Sequence, residues 1–325
     1  MANWLVTGGA GYIGAHVVRA LHAQGEGAVV LDDLSTGTLE RVPEAAVFVQ
    51  GSILDEDVVR RALADNAVAG VIHIAAKKQV GESVQRPLHY YEENVEGTRR
   101  LLAAAVDAGV ESFVFSSSAA TYGMPDIDVV DEDSPTVPMS PYGTTKLICE
   151  WMSRDVAVAT GLRVVALRYF NVAGAASPEL ADPGVFNLVP MVFRELAGGE
   201  RPKVFGNDYP TPDGTCVRDY IHVCDIADAH VAALQQLASG DVEDSFRVYN
   251  IGRGEGSSVL EVIDVIGRVT GLDVTPQFVD RRPGDPARVV ASVDRIAKDL
   301  GWTSKFGLEQ MVSSAWSGWE LRHSG

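Results

Sequence analysis

Residues 3–7 read NWLVT and residues 8–14 read GGAGYIG, ahead of an apolar-periodic run to Leu21 with a glycine at position 25. A short apolar run closed by glycines is a buried strand, and the helical spacing of apolar residues after it is a helix. Strand, glycine turn and helix is the setting a dinucleotide fingerprint requires. The turn satisfies two spacings at once, Gly9-x-Gly11-x-x-Gly14 and Gly8-x-x-Gly11-x-x-Gly14. Glycines let the backbone approach a pyrophosphate, which the free amides and the dipole of the helix N-terminus favour. A second strand, Ala28 to Leu31, ends on Asp32, about 20 residues further on, where a carboxylate accepts from a ribose 2′-hydroxyl and repels a 2′-phosphate. The cofactor expected is therefore NAD rather than NADP.

Outward from this turn the alternation continues with strand 46–50, helix 55–64, strand 70–75, a long helix 87–108 closed by Gly109, strand 112–116 and strand 163–168. Strands alternating with helices predict the α/β class, a doubly wound parallel sheet of the Rossmann type that binds ligands at the carboxyl ends of its strands. After Asn171 the chain turns to loops rich in Pro and Gly, with helical segments near 187–198, 225–238 and 258–270. The expected division is a cofactor-binding domain over 1–171, with 217–238 packing back on it, and a smaller α/β substrate-binding domain over 172–325. The two are expected to close on one cleft.

A chain of 325 residues exceeds the usual single-core size. Its 44 acidic against 27 basic residues, a formal net charge of −17, argue against a nucleic-acid partner, whose phosphates need a basic face. No run of 18 apolar residues and no charged-then-apolar leader is present, so no membrane association and a cytoplasmic location are expected. Cys149, Cys216 and Cys224 are an odd number without metal-type spacing; free thiols in a reducing compartment and no bound metal follow.

Ser140 to Lys146, SPYGTTK, starts another helix, with Ser at the cap and Pro141 in the first turn. Tyr142 and Lys146 stand four residues apart and share one face. An ammonium beside a phenol favours the phenolate, which makes a proton-transfer device. A Tyr and a Lys at this spacing are equally an amphipathic helix surface.

Together with TGGAGYIG at 7–14, Asn94 in YYEENVEGT and FSSSAATYG at 115–123, the Tyr142-x-x-x-Lys146 pair resembles the extended short-chain dehydrogenase/reductase family. VGESVQRPLHYYEENVEGT, LRYFNVAGA at 167–175 and NDYPTPDGTCVRDYIHV at 207–223 are similar to its UDP-glucose 4-epimerase branch over essentially the whole length. That resemblance implies an NAD-dependent isomerase of galactose metabolism acting on UDP-hexoses. Tyr142 is then the base at the sugar 4-hydroxyl, Lys146 holds the ribose and lowers the Tyr pKa, and Ser118 bonds the 4-oxygen. Cofactor contacts implied are Gly8, Gly11, Tyr12, Ile13 and Gly14 at the turn; Asp32, Asp33, Leu34, Ser35, Thr36 and Gly37 around the adenosine ribose; and Ser52, Ile53, Ile74, Ala75, Ala76, Lys78, Asn94, Tyr142, Lys146 and Phe170. Substrate contacts implied are Lys78, Ser118, Tyr142, Asn171, Asn187, Leu188, Arg218, Arg282, Asp285 and Val289, the two arginines meeting the diphosphate. A homodimer through the 87–108 and Tyr142 helices is implied as well.

Two positions depart from the family pattern. Ser52, in QGSILDE, stands where an Asp often contacts adenine, and Val289, in RRPGDPARVVAS, falls at the position that gates the sugar 2-substituent. A small residue at 289 leaves room for an N-acetyl group, so UDP-N-acetylhexosamines are candidate substrates too. Among rival readings, a 4,6-dehydratase would use an acid–base pair where this chain has Ala119 and Ala120. Another nucleotide-sugar epimerase or decarboxylase shares the scaffold. A non-catalytic NAD sensor has no need of Ser118, Tyr142 and Lys146 together.

Overall fold

The computed structural model describes residues 2–239, 244–282 and 285–323; Pro283 and Gly284 of the RRPGDPARVVAS stretch lie outside them. The chain forms two compact units. The first comprises Met1–Gly123, Pro138–Arg168 and Ile226–Tyr249, and the second Met124–Val137, Tyr169–Asp225 and Asn250–Gly325.

Most of a seven-stranded sheet lies in the first unit. Its strands are β1 (Asn3–Thr7), β2 (Gly27–Asp32), β3 (Val47–Gln50), β4 (Val68–His73), β5 (Ser112–Ser118), β6 (Arg163–Tyr169) and β7 (Phe246–Ile251), in spatial order β7-β6-β5-β4-β1-β2-β3. β1 pairs in parallel with both β2 and β4, as do β2 with β3 and β4 with β5. The order reverses at β1, so the crevice at a doubly wound sheet's switch point opens between the carboxyl ends of β1 and β4. Buried Leu5, Val29, Leu31, Val71 and Phe113 lie on one side of the sheet with Leu101, Leu102 and Ala105 packed against them. This is the near-continuous apolar character of strands covered on both faces.

Four helices position the site. They are α1 (Tyr12–Ala23), α2 (Glu56–Asp65), α3 (Gly97–Asp107) and α4 (Pro141–Thr160). The Ser140 hydroxyl caps α4 by accepting from the Gly143 amide at 3.2 Å, and Gly161 ends it at φ 78°. The helical run expected over 87–108 is continuous from Pro87 to Asp107 but passes through a π-helical turn at Tyr91–Glu96 between Pro87–Tyr90 and α3. The cause is Asn94, buried inside that turn. Its side chain accepts from the Lys77 amide at 2.8 Å and donates to the Lys77 carbonyl and to Thr145 Oγ1, each at 3.0 Å. A local π turn re-aims a side chain in this way without ending the helix, and such turns gather at functional sites.

The second unit has its own sheet, in which Val217–His222 is flanked by Gly256–Ser258 and Arg288–Ala291 and also pairs with Asn171–Ala173. Helices Leu188–Ala197, Val259–Thr270 and Leu308–His323 cover it, with Phe193, Ile263, Ile266, Met311 and Trp319 in their common core. Lys203–Phe205 pairs in parallel with Gln277–Val279. Val223–Ser239 is helical as expected, and from Ile226 onward it belongs to the first unit.

Candidate active site

Gly8 sits at φ +72°, and a Cβ there would lie 2.8 Å from the Ala75 nitrogen; at Gly14 a Cβ would lie 2.1 Å from the Gly8 carbonyl oxygen. Only backbone fits this cradle, which is what close approach of a pyrophosphate to the N-terminus of α1 demands. Gly11 is the N-cap of that helix and Tyr12 and Ile13 begin it. The donor set fits NAD.

Asp32, at the end of β2, is buried and does more than the sequence discloses. One carboxylate oxygen accepts from the Ala10 amide at 3.0 Å and the other from the Leu34 amide at 2.9 Å. The same group thus pins the glycine turn and its own loop, and each oxygen keeps a lone pair for a hydroxyl. Burial raises its pKa while those two amides hold it down. Leu34 takes the left-handed φ of 59° without being glycine, at a cost of order 1–3 kcal/mol. Gly37 is buried against Ala10, and Asp33, Ser35 and Thr36 are exposed beside it. Ile53 is buried against Gly97, while Ser52 is turned to the Leu54 amide. Lys78 is exposed, its ammonium 6.0 Å from the Tyr12 ring centre.

After β4, the amides of Ile74 and Ala75 bond the Thr7 carbonyl at 3.2 and 3.1 Å, and Ala76 follows. A buried polar chain runs behind them. Thr98 donates to the Asn94 carbonyl at 2.6 Å, so its oxygen accepts from His73 Nε2, 2.8 Å away; His73 Nδ1 then accepts from Thr7, also at 2.8 Å. Burial and the nearby Lys146 push His73 down to about 3, which keeps it neutral. This chain links the cofactor turn, β4 and the Asn94 turn across 66 and 25 residues of sequence, and nothing in local spacing announces it.

Tyr142 and Lys146 stand on α4 over the end of β5. The Ser118 hydroxyl accepts from the Ala120 amide at 3.2 Å and hydrogen-bonds Tyr142. Helical spacing alone suggests a phenol pulled down by Lys146. Instead burial raises the Tyr142 pKa, and the Ser118 hydrogen bond is what opposes it. The reason is geometric: the Lys146 ammonium donates to the Ser116 carbonyl at 2.7 Å, and burial has itself lowered its pKa to about 8. One turn on, Glu150 is buried, accepts from Ser117 and grips Arg168 bidentately at 3.0 and 2.7 Å. Its charge favours protonated Lys146. Neither Glu150 nor Arg168 was apparent from the motif.

Folding a lysine whose pKa falls from 10.5 to about 8 costs on the order of 3 kcal/mol at neutral pH. Lys146→Met removes that cost and loses one hydrogen bond, so a net gain of about 1–2 kcal/mol, read as a melting point several degrees higher, is expected alongside lost turnover. The unfolded chain binds more protons than the folded one between pH 8 and 10.5, so wild-type stability rises across that window and the variant's advantage shrinks there. A variant less stable than wild type at pH 7 would contradict this account of Lys146.

In the second unit a cavity of about 230 Å³ is lined by Asn171, Asn187, Leu188, Arg218, Arg282 and Asp285, with Phe186, Met191, Val192, Glu195, Lys203, Phe205, Cys216, Tyr220 and Val259. Arg218 lies 3.8 Å from Asp285, and the Arg282 guanidinium stacks 3.7 Å over the Phe205 ring. Two guanidinium groups, aromatic walls and a helix N-terminus at Asn187 whose side chain makes no cap hydrogen bond suit a diphosphate carrying an aromatic base. Val289 is buried beside Arg218 in the sheet register and does not line this cavity. Phe170, also in the second unit, is buried with its amide on the Ile251 carbonyl.

Against known proteins, a family model described as the NAD dependent epimerase/dehydratase family matches residues 4–252. The chain is 48% identical to the UDP-glucose 4-epimerase of Azospirillum brasilense over 321 residues, 97% of this chain and 91% of that one. It is 41% identical to the solved UDP-glucose-4-epimerase of Stenotrophomonas maltophila with bound NAD and formylated UDP-arabinopyranose, at a TM-score of 0.95 over 100% and 99% of the two chains. The UDP-Glc/GlcNAc 4-epimerase of Campylobacter jejuni is similar at 38% identity and a TM-score of 0.87, over 99% and 100%.

Proposed function

The chain belongs to the NAD-dependent epimerase/dehydratase family, and we propose that it interconverts UDP-glucose and UDP-galactose by inverting carbon 4 of the hexose. The observation that carries this reading is the Ser118–Tyr142 contact immediately ahead of Ala119 and Ala120. A proton acceptor for one sugar hydroxyl is in place, and alanines occupy the two positions after Ser118 where an eliminating enzyme would carry its further acid and base. Relatives carrying the epimerase name over nearly the full length support the same reading.

What NAD supplies when bound, held by the Gly8–Gly14 turn and the Asp32 loop, is a reversible acceptor for the C4 hydride and a positive ring that favours the phenolate. Tyr142 takes the proton of the 4-hydroxyl while Ser118 holds the 4-oxygen. The resulting 4-ketose is planar at C4, and once turned over it presents its other face. Tyr142 returns the proton, and the sugar leaves with C4 inverted and no net oxidation. Lys146, whose ammonium donates to the Ser116 carbonyl, stands one turn along α4 from Tyr142.

The test is to incubate the purified protein with UDP-galactose and resolve the two UDP-hexoses. An equilibrium mixture is expected, and none after adding NAD would overturn the reading. Run on UDP-N-acetylglucosamine, the same assay examines the small Val289; unchanged UDP-glucose turnover with no N-acetyl turnover would exclude that substrate. The protein acts as a homodimer in the cytoplasm in this reading. Exposed Val84, Leu88, Trp151 and Val158 on α4 and the helices packed against it support the first, and sedimentation at the monomer mass would contradict it. Cysteines that form no disulfide among the described residues support the second.

A further inference from the structure

Tyr90 is completely buried, and its hydroxyl accepts from the Gln79 amide at 2.9 Å and donates to the Glu82 carboxylate at 3.0 Å. Burial and that carboxylate raise its pKa, so the hydroxyl keeps the proton it donates. Asn94, four residues on, holds the Lys77 amide and carbonyl. The carbonyl of Lys77 and the amide of Gln79 belong to the two peptide groups that flank the Lys78 Cα. Each is fixed by a buried side chain of the same helical run, and with both planes fixed neither backbone dihedral of Lys78 is free to turn. An exposed lysine is ordinarily a solvated charge on a flexible stem. This one stands on a backbone held from both sides.

Lys78 follows β4, and its ammonium lies 6.0 Å from the ring centre of Tyr12, the first residue of α1, whose free amides and dipole favour an anion. It makes no ion pair among the described residues. Lys77, beside it, directs its ammonium to Ser35 Oγ at 3.5 Å, on the loop after β2. In the sheet order β4-β1-β2 the clamped segment thus spans the glycine turn that follows β1. We propose that Tyr90 is a positioning residue for the cofactor: by pinning the Gln79 amide it holds Lys78 with its ammonium at the N-terminus of α1, where it pairs with the dinucleotide diphosphate and slows NAD release. This rests on the NAD site and not on which sugar is turned over. A lysine whose backbone is fixed before the ligand arrives loses less conformational freedom on pairing, and that is the source of the gain.

The test is the rate at which labelled NAD in excess replaces bound NAD in the purified protein, at low and at high salt, for wild type, Tyr90→Phe, Lys78→Met and the double variant. Phenylalanine keeps the ring in the core and removes only the hydroxyl. Tyr90→Phe and Lys78→Met are each expected to speed release about 10-fold, the scale of one hydrogen bond to a charged group. The double variant should release NAD no faster than Lys78→Met, because Tyr90 acts through Lys78. Salt screens an ammonium–phosphate pair, so it should speed release from wild type and do so less in either variant. Effects that multiply in the double variant, or a Tyr90→Phe protein with the wild-type rate or salt response, would overturn the assignment and leave Tyr90 a packing residue. Should Tyr90→Phe fail to fold, Gln79→Pro removes the same hydrogen bond from the donor side, at a φ of −84° that proline accepts. NAD held as in wild type would then overturn the assignment, and faster, less salt-sensitive release would support it. Wild-type protein that binds no NAD at all would instead sink the cofactor reading, an outcome separable from these.

Discussion

Tyr142→Phe is expected to lower interconversion of UDP-galactose and UDP-glucose by about three to four orders of magnitude, the upper range for loss of a general base. The phenyl ring keeps the packing of α4 on β5, so UDP affinity should change less than threefold and the melting point little. Burial raises the phenol and, among the described residues, Ser118 is its hydrogen-bond partner, so removing the oxygen leaves that one hydroxyl to find another partner. Measuring kcat together with UDP binding separates the two effects. A variant that keeps a tenth of the turnover would remove Tyr142 from the proton-transfer step.

The second large effect belongs to Gly14. A Cβ there falls 2.1 Å from the Gly8 carbonyl oxygen and 2.7 Å from the Gly9 Cα, and both neighbours are backbone, so the turn itself must shift. Gly14→Val is expected to weaken NAD binding by at least ~100-fold, because the amides at the start of α1 no longer close on a pyrophosphate. The readout is the NAD released on denaturing the purified protein. Gly81→Ala is the matched control, since nothing lies within 4 Å of its new Cβ and its φ is ordinary. Full NAD occupancy in Gly14→Val would contradict the assignment of this turn.

These positions were readable from the sequence because they are local. The Gly8–Gly14 turn between an apolar strand and a helix, Asp32 at the end of the next strand, and the four-residue step from Tyr142 to Lys146 are all fixed by short-range geometry. The α/β alternation carried the sheet for the same reason. The 87–108 helical run is present, and what the periodicity does not show is its π turn at Tyr91–Glu96, where buried Asn94 bonds Lys77 and Thr145. The Thr7–His73–Thr98 chain and the Glu150–Arg168 pair join residues brought together only by the fold, and Leu34 has a left-handed φ that its identity conceals. Arg218 and Arg282 meet in one cavity although 64 positions separate them (282 − 218). Only resemblance, and no spacing rule, singled them out. The Tyr142 pKa went the other way from the pairwise argument, since burial of a phenol outweighs an ammonium already bonded to Ser116.

The central claim is that this chain inverts C4 by passing its hydrogen to NAD and back, with none of it lost to water. Incubating the purified protein, without added NAD, with UDP-galactose deuterated at C4 in ordinary water tests it most directly. The account predicts UDP-glucose that keeps the deuterium at C4. Product with hydrogen at C4, or no product until NAD is supplied and consumed, would contradict it.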